Sequence, residues 1–277
     1  MDFFRGVTGL YFALGVLASA LVLEAMMPWR RGVKISPARW VRNASMSFYS
    51  FILLGLLPLL SAYGAAMIAE ARGLGVFNQM TAPLWVTALA AIIAFDLTAY
   101  GVHRSLHKWY FLWRTHRTHH GDAHIDATTS LRFHPFEALV RAIIDLPVVF
   151  LLGLPEEAIV VNFVVLTVVN TFTHTNIALA PSVERVLSRI LVTPHIHRLH
   201  HSAAPEHLDT NLGTIFSLWD RLFATFTPSD RLRENEVFGI EGPEAITPDS
   251  FANLALDPFR KPDHAAIPKP EPRDARP

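Results

Sequence analysis

Five apolar runs alternate with polar segments along the chain, at residues 7–27, 45–68, 83–100, 137–154 and 158–172. The first run has the ~20 residues that an α-helix needs to cross the hydrocarbon core of a bilayer. The last two runs are separated by Gly-Leu-Pro-Glu-Glu, which predicts a hairpin that enters the bilayer and returns. The pattern therefore predicts an all-α integral membrane protein with about four to five membrane-embedded helices.

The first run could instead be a cleaved signal peptide. A signal peptide carries its positive charges before a shorter apolar core, whereas the basic residues here follow the run, so we favour an uncleaved span. The positive-inside rule assigns the basic loop that follows to the cytoplasm. Its basic residues are Arg30, Arg31, Lys34, Arg39 and Arg42.

The remaining runs carry the chain across the membrane from that loop. The second run, broken by Pro58, leads outward and the third leads back, so His103 emerges on the cytoplasmic side. The hairpin then returns residues 174–201 to the same face. The topology thus predicts a multi-pass protein whose two histidine-rich segments share the cytoplasmic face.

The amino-acid composition further limits the class of protein. Of the 277 residues, 51% are hydrophobic and 17% are charged, against ~25% charged residues in soluble domains. The formal net charge is zero and predicts no basic face for a nucleic acid. The absence of cysteine excludes thiolate catalysis and a Cys-ligated iron–sulfur cluster in this chain.

The distribution of apolar runs, histidines and prolines predicts three segments of the chain. Residues 1–82 are predicted to be N-terminal membrane helices with the basic cytosolic loop, and residues 83–226 a histidine-rich domain. Residues 227–277 are proline-rich and predict a cytosolic tail that is disordered beyond Phe259.

Histidines occur in three short motifs, one HxxxH and two HxxHH. In a helix, residues three and four apart lie on one face, so the imidazoles of each motif converge. Thr193 and Pro194 predict the N-cap and first residue of the helix that carries the last motif. The eight motif residues are His103, His107, His116, His119, His120, His197, His200 and His201.

An all-imidazole cluster favours a transition metal, because magnesium and calcium prefer oxygen ligands. Catalytic zinc usually takes three protein ligands and one water, so eight donors are sufficient for two ions. Two irons beside an apolar cavity could oxidise unactivated C–H bonds. A haem would need single histidines facing each other inside spans, and a zinc transport site would lie near the bilayer midplane.

The motif order resembles the fatty acid hydroxylase / sterol desaturase superfamily over about residues 85–226. The matching segments are HRSLH, LWRTHRTHH, RFHP, His174 followed by Asn176, PHIHRLHH, NLG and WDRLFATF. The resemblance implies a helical membrane fold with a cytosolic cap that holds two irons. It also implies O₂-dependent hydroxylation or desaturation of a sterol, fatty-acyl or isoprenoid C–H bond. Electrons would come from an external cytochrome b5-, ferredoxin- or rubredoxin-like donor.

Carried over by position, the resemblance adds His174 to the eight motif histidines as a metal ligand and makes His134 a further candidate. Asn170 stands where fatty acid 2-hydroxylases of this superfamily have the first histidine of an HxxxH motif. This departure favours the sterol-desaturase-like branch and leaves one metal with an open or asparagine-assisted position. Zinc could occupy the site in isolated protein.

Three further residues are candidates beside the ligands. Asp96 lies seven residues before His103 on the same helix face, where it could accept an N–H bond from a ligand imidazole or only cap or hydrate the helix end. His124 and His195 are candidates either for ligation or for a solvated position.

Two other classes remain open from the sequence. A zinc-dependent membrane hydrolase would use zinc-bound hydroxide and would work without oxygen. A non-catalytic metal-binding membrane protein would have a coordinatively closed site that is indifferent to oxygen.

Overall fold

The computed structural model describes residues 8–32, 36–240 and 250–260. Within these ranges all regular secondary structure is helical, and the only β-type pairings are isolated bridges such as Pro28 with Ile177. This confirms the all-α prediction. Lys34 of the basic loop lies outside the described residues.

The α-helices of the described ranges follow in chain order. They are α1 (Thr8–Met26), α2 (Pro37–Gly55), α3 (Ala62–Ala71), α4 (Leu84–Lys108), α5 (Tyr110–His120), α6 (Pro135–Leu152), α7 (Glu156–Thr173), α8 (Pro181–Leu187), α9 (Pro194–His200), α10 (Leu218–Leu222) and α11 (Phe251–Leu256).

Three helices of the described chain, α1, α4 and α7, are long and apolar enough to cross a membrane. The run predicted at residues 45–68 is instead divided between α2, the turn Pro58–Leu60 and α3, because proline lacks the N–H that would continue a helix. The run at residues 137–154 falls in α6, which contains Pro147. The further membrane-embedded segments therefore stay a prediction.

The apolar core lies where α3, α4, α6 and α7 meet. Alanines on α3, α4 and α7, among them Ala65, Ala91 and Ala158, pack with Phe95 and Val149. Small side chains let helix backbones approach closely. The loops beside this core are equally tight, since a Cβ on Gly75 would lie 2.1 Å from the backbone nitrogen of Gly153.

Parts of the segment predicted as a tail pack against the helical domain. Leu254 of α11 is buried against Met46 of α2. Asp257 forms a buried ion pair with Arg117 of α5 at 2.7 Å. Residues 261–277, where disorder was predicted, lie outside the described residues.

Candidate metal centre

The first two histidine motifs lie on two helices that meet at Trp109. Its backbone is extended, with φ −104° and ψ 116°, so α4 ends at Lys108 and α5 begins at Tyr110. The last turns of α4 and α5 thereby bring their histidines together. On the third motif, the Thr193 side chain accepts a hydrogen bond from Ile196 N at 3.3 Å and caps α9, as predicted.

Nine histidines form two groups, within each of which one ring nitrogen per residue lies within 4.8 Å of the others. All are buried except His107, which is half-buried. The five-histidine group contains His103, His107, His116, His120 and His200. The four-histidine group contains His119, His174, His197 and His201.

Each HxxHH motif contributes to both groups. His116 and His120, four residues apart, belong to the five-histidine group, whereas His119 belongs to the four-histidine group. In the last motif His197 and His201 share a group that excludes His200. Helical residues four apart differ by about 40° around the axis, so they face one ion position while the third member faces the other.

Oxygen acceptors behind several rings determine where the ring proton lies. His103, His174 and His200 donate from Nδ1 to main-chain carbonyls at 2.8, 2.7 and 2.9 Å. A carbonyl can only accept, so the proton is on Nδ1 and the Nε2 lone pair is free. The three acceptors are the carbonyl oxygens of Leu212, Asn170 and Thr210 respectively.

Carboxylates lie behind two members of the five-histidine group. Nδ1 of His116 is 3.0 Å from Oε2 of Glu137, and Nδ1 of His107 is 3.5 Å from Oδ1 of Asp209. Glu137 was not among the residues predicted from the sequence. Its position could have indicated a function, because Glu137 is an acidic residue at the start of an apolar run predicted to enter the membrane, where ionisable groups usually have a function.

The inward-facing nitrogens approach one another without a proton to share. Nε2 of His103 lies 3.0 Å from Nε2 of His116, and both rings hold their proton on Nδ1. Nε2 of His107 and of His200 is buried without a hydrogen-bond partner. Converging lone pairs repel each other unless a cation lies between them, so these residues fit transition-metal ions.

Protonation of the rings also fits metal binding. Burial, followed by repulsion from neighbouring imidazoles, lowers the pKa of five of the grouped histidines well below the usual value. Burial lowers the pKa of His174 to about 4. The imidazoles are therefore neutral near pH 7, which is the form that binds a metal. The members concerned are His119, His120, His197, His200 and His201.

Three candidate histidines lie outside both groups. His134 caps α6, where its Nδ1 accepts from Phe136 N at 3.2 Å and its Nε2 lies 3.1 Å from Ala255 O. Nδ1 of His195 lies 3.1 Å from the Glu184 carboxylate. His124 is exposed.

The expectation that Asp96 accepts a bond from a ligand imidazole is wrong. Its carboxylate accepts from the backbone N–H groups of Ile215 and Phe216 at 2.8 and 3.0 Å, and from Trp219 Nε1 at 2.8 Å. Asp96 faces the loop that begins at Leu212 and therefore acts on His103 only through that loop. Asn170 contributes its main-chain carbonyl to His174, while its side chain lies 3.4 Å from Ser130 O.

The fold and the site together define an all-helical chain with membrane-length helices and a candidate dimetal centre of nine histidines. Comparison with known families is specific: the sequence model of the fatty acid hydroxylase family matches residues 88–225 of the chain. The match confirms the resemblance inferred from the motifs.

Known relatives include two kinds of oxygenase. Ornithine lipid hydroxylase OlsE of Rhizobium tropici is 24% identical over 283 residues, which cover 92% of this chain and 81% of the relative. Alkylglycerol monooxygenase of Danio rerio is 30% identical over 229 residues, or 80% of this chain and 48% of the relative. The Homo sapiens alkylglycerol monooxygenase is 28% identical over 61% of this chain and 36% of its own length. The chain thus spans about half or less of these two monooxygenases. No solved structure matches the chain.

Proposed function

We propose that the protein is an O₂-dependent di-iron enzyme that hydroxylates or desaturates a C–H bond of a membrane lipid. The observation that carries this proposal is the convergence of nine imidazoles in two adjacent groups of five and four. The match to the fatty acid hydroxylase family model supports it, as do relatives named as a lipid hydroxylase and as monooxygenases. The reacting group would be a sterol, fatty-acyl or isoprenoid chain.

Each histidine group would hold one iron. The groups adjoin, since the ring of His120 stacks on that of His201 at 4.5 Å between centroids. Two neighbouring irons, when bound, supply the electrons and the Lewis acidity with which dioxygen is activated. Zinc could occupy the same nitrogens in isolated protein.

The protein's own residues would orient the ligands and exclude water. Carbonyls and carboxylates behind five of the nine rings would hold the protons on Nδ1, so that their Nε2 atoms stay aimed at the ions. Because the ligand rings are almost wholly buried, bulk water would have little access to the reacting bond. Residues from α4, α5, α7 and α9 surround the site, which would resist displacement of any one ligand.

Two further features of the reaction belong to the proposal. The chain has no cysteine and no nucleotide-binding motif, so electrons would come from an external cytochrome b5-, ferredoxin- or rubredoxin-like protein. The basic residues that follow α1 would place the histidine groups on the cytoplasmic face of the membrane.

Labelled dioxygen tests this function. Iron-loaded protein in detergent is incubated with a membrane lipid extract, reduced ferredoxin and isotopically labelled O₂. We expect either a lipid that has gained one labelled oxygen atom, or one that has lost two hydrogens. Product formation under argon would instead identify a hydrolase, and the absence of both product and O₂ consumption would favour a non-catalytic metal-binding protein.

A further inference from the structure

A small cationic cavity lies beside the candidate metal centre, between the end of α1 and α9. Its volume is about 20 Å³, which is room for one or two oxygen-sized atoms. The lining includes two guanidinium groups, an imidazole and an amide. The residues concerned are Trp29, Arg30, His124, Asn176, Arg198 and Phe238.

Arg198 is fully buried in the wall of this cavity. Its Nη2 donates to the carbonyls of Thr175 and Ile177 at 2.6 and 2.8 Å, whereas its Nε and Nη1 have no hydrogen-bond partner. Within the described part of the chain it forms no ion pair with a carboxylate. Buried donors without acceptors are costly, so the arrangement fits an anionic oxygen in the cavity.

Arg30 supplies a second positive charge. Its guanidinium carbon lies 4.9 Å from the Trp29 ring centroid, and that of Arg198 lies 4.6 Å from the same ring. Nη2 of Arg30 donates to the main-chain carbonyls of Glu234 and Glu236 at 2.7 and 2.8 Å. Neutral carbonyls leave its charge uncompensated. The nearby carboxylate of Glu24 is occupied by the backbone N–H groups of Ala127 and Asn176.

An apolar groove of about 520 Å³ lies between α1 and α7. Its walls include Val16 and Leu23 of α1, and Val168 and Phe172 of α7. Consecutive residues of the segment 175–177 line both spaces: Thr175 and Ile177 line the groove, while Asn176 lines the cavity. The groove also passes next to His174 of the four-histidine group, because Thr171, Phe172 and Thr175 belong to its wall.

We propose that this cleft binds the substrate as a lipid with an anionic headgroup, through phosphate or carboxylate oxygens that contact Arg198 and Arg30. Its acyl chain lies in the groove between α1 and α7. The proposal rests on the proposed function only in taking the bound lipid as the substrate. It accounts for the unpaired donors of Arg198 and for an apolar groove whose wall, at Thr175 and Ile177, adjoins Asn176 of the cavity.

Binding is measured on the iron-loaded protein by native mass spectrometry, with phosphatidylglycerol and with the neutral diacylglycerol that carries the same chains. We expect phosphatidylglycerol to bind about tenfold more tightly, as a charge-assisted hydrogen bond contributes. Arg30→Gln should remove most of this preference. Arg31→Gln is the matched control, since Arg31 is an exposed neighbour that does not line the cavity.

A second variant tests the groove. Gly15 lines it, and a Cβ there meets no atom within 4 Å, so Gly15→Phe should fill the space and weaken binding of both lipids. Ala18→Phe, on an exposed position of α1 outside the groove, is its control. Unchanged iron content in each variant shows that the fold is retained.

Equal affinity for the two lipids, or an unchanged preference in Arg30→Gln, would overturn the proposal, even if lipid oxidation is observed. Binding of inorganic phosphate as tight as that of phosphatidylglycerol would also overturn it, because the cavity would then be an ion site unrelated to lipid. Preferential binding of the anionic lipid without any oxidation would leave the cleft intact and contradict only the proposed function.

Discussion

Nδ1 of His116 lies 3.0 Å from Oε2 of Glu137, and both side chains are almost completely buried. The opposite nitrogen of the same ring lies 3.0 Å from Nε2 of His103 in the five-histidine group. The carboxylate therefore holds the proton on Nδ1 and makes Nε2 a stronger donor to a metal ion. A residue at the first turn of α6 thus positions a candidate ligand carried by α5.

Replacing this carboxylate should weaken metal binding. Glu137→Ala is expected to lower the affinity of the five-histidine group for metal by about 10–100-fold. Glu137→Gln should lower it less, because the amide oxygen can still accept a hydrogen bond from Nδ1–H of His116. Iron per chain is measured after competition with a chelator. Glu157→Ala, at an exposed position in the first turn of α7, is the control. Wild-type iron retention in Glu137→Ala would show that the ring needs no such partner.

The pair of Arg117 and Asp257 should hold the C-terminal segment on α5. Arg117 donates two hydrogen bonds to the Asp257 carboxylate, at 2.7 and 3.1 Å, in a buried setting. Asp257→Ala leaves a buried guanidinium without its partner, which costs about 3–5 kcal/mol. Thermal unfolding in detergent measures this loss, with the exposed Asp230→Ala as reference. Equal melting temperatures for the two variants would refute the role assigned to the pair.

Asp96 should hold the loop that supports His103. Asp96→Asn keeps one acceptor oxygen but loses the second, so we expect a loss of about 1–3 kcal/mol. Hydrogen exchange checks this directly: the backbone amides of Ile215 and Phe216, which donate to Asp96, should lose protection. Undiminished protection at both amides would mean that the loop is held by other contacts.

Acid should destabilise the metal-free protein. Burial lowers the pKa of His174 from 6.5 to about 4, so the unfolded chain takes up a proton at a higher pH than the folded one. The stability is therefore complete above about pH 6.5 and is lost progressively as the pH falls towards 4. His174 alone accounts for about 3 kcal/mol, and other buried imidazoles add to it. Melting of metal-stripped protein across this range tests the sign; a flat profile would contradict it.

The sequence predicted much of the site because its information is local. Histidines at helical spacings, the apolar runs and the N-cap at Thr193 are all visible in short segments. The division of the histidines between two groups was not predictable, because it depends on how α5 and α9 are oriented in the fold. His119 and His120 are adjacent in sequence yet belong to different groups.

The hydrogen-bond partners of the histidines that lie far away in sequence were also not predicted. Glu137 and the carbonyls of Leu212 and Thr210 reach their histidines through tertiary packing that no motif encodes. Asp96 was placed on the correct helix but assigned the wrong partner, because periodicity gives the face of a side chain and not what packs against it. The cytoplasmic orientation and the domain boundaries stay predictions.

Metal content tests the central claim most directly. Protein expressed with iron and purified in detergent is analysed for iron and zinc, alongside His200→Ala from the five-histidine group, His119→Ala from the four-histidine group and the exposed control His124→Ala. We predict about two metal ions per chain, chiefly iron, in the wild type and the control, with loss of bound metal in each of the other variants. Full metal content in both His119→Ala and His200→Ala would contradict the assignment of these histidines to a dimetal centre.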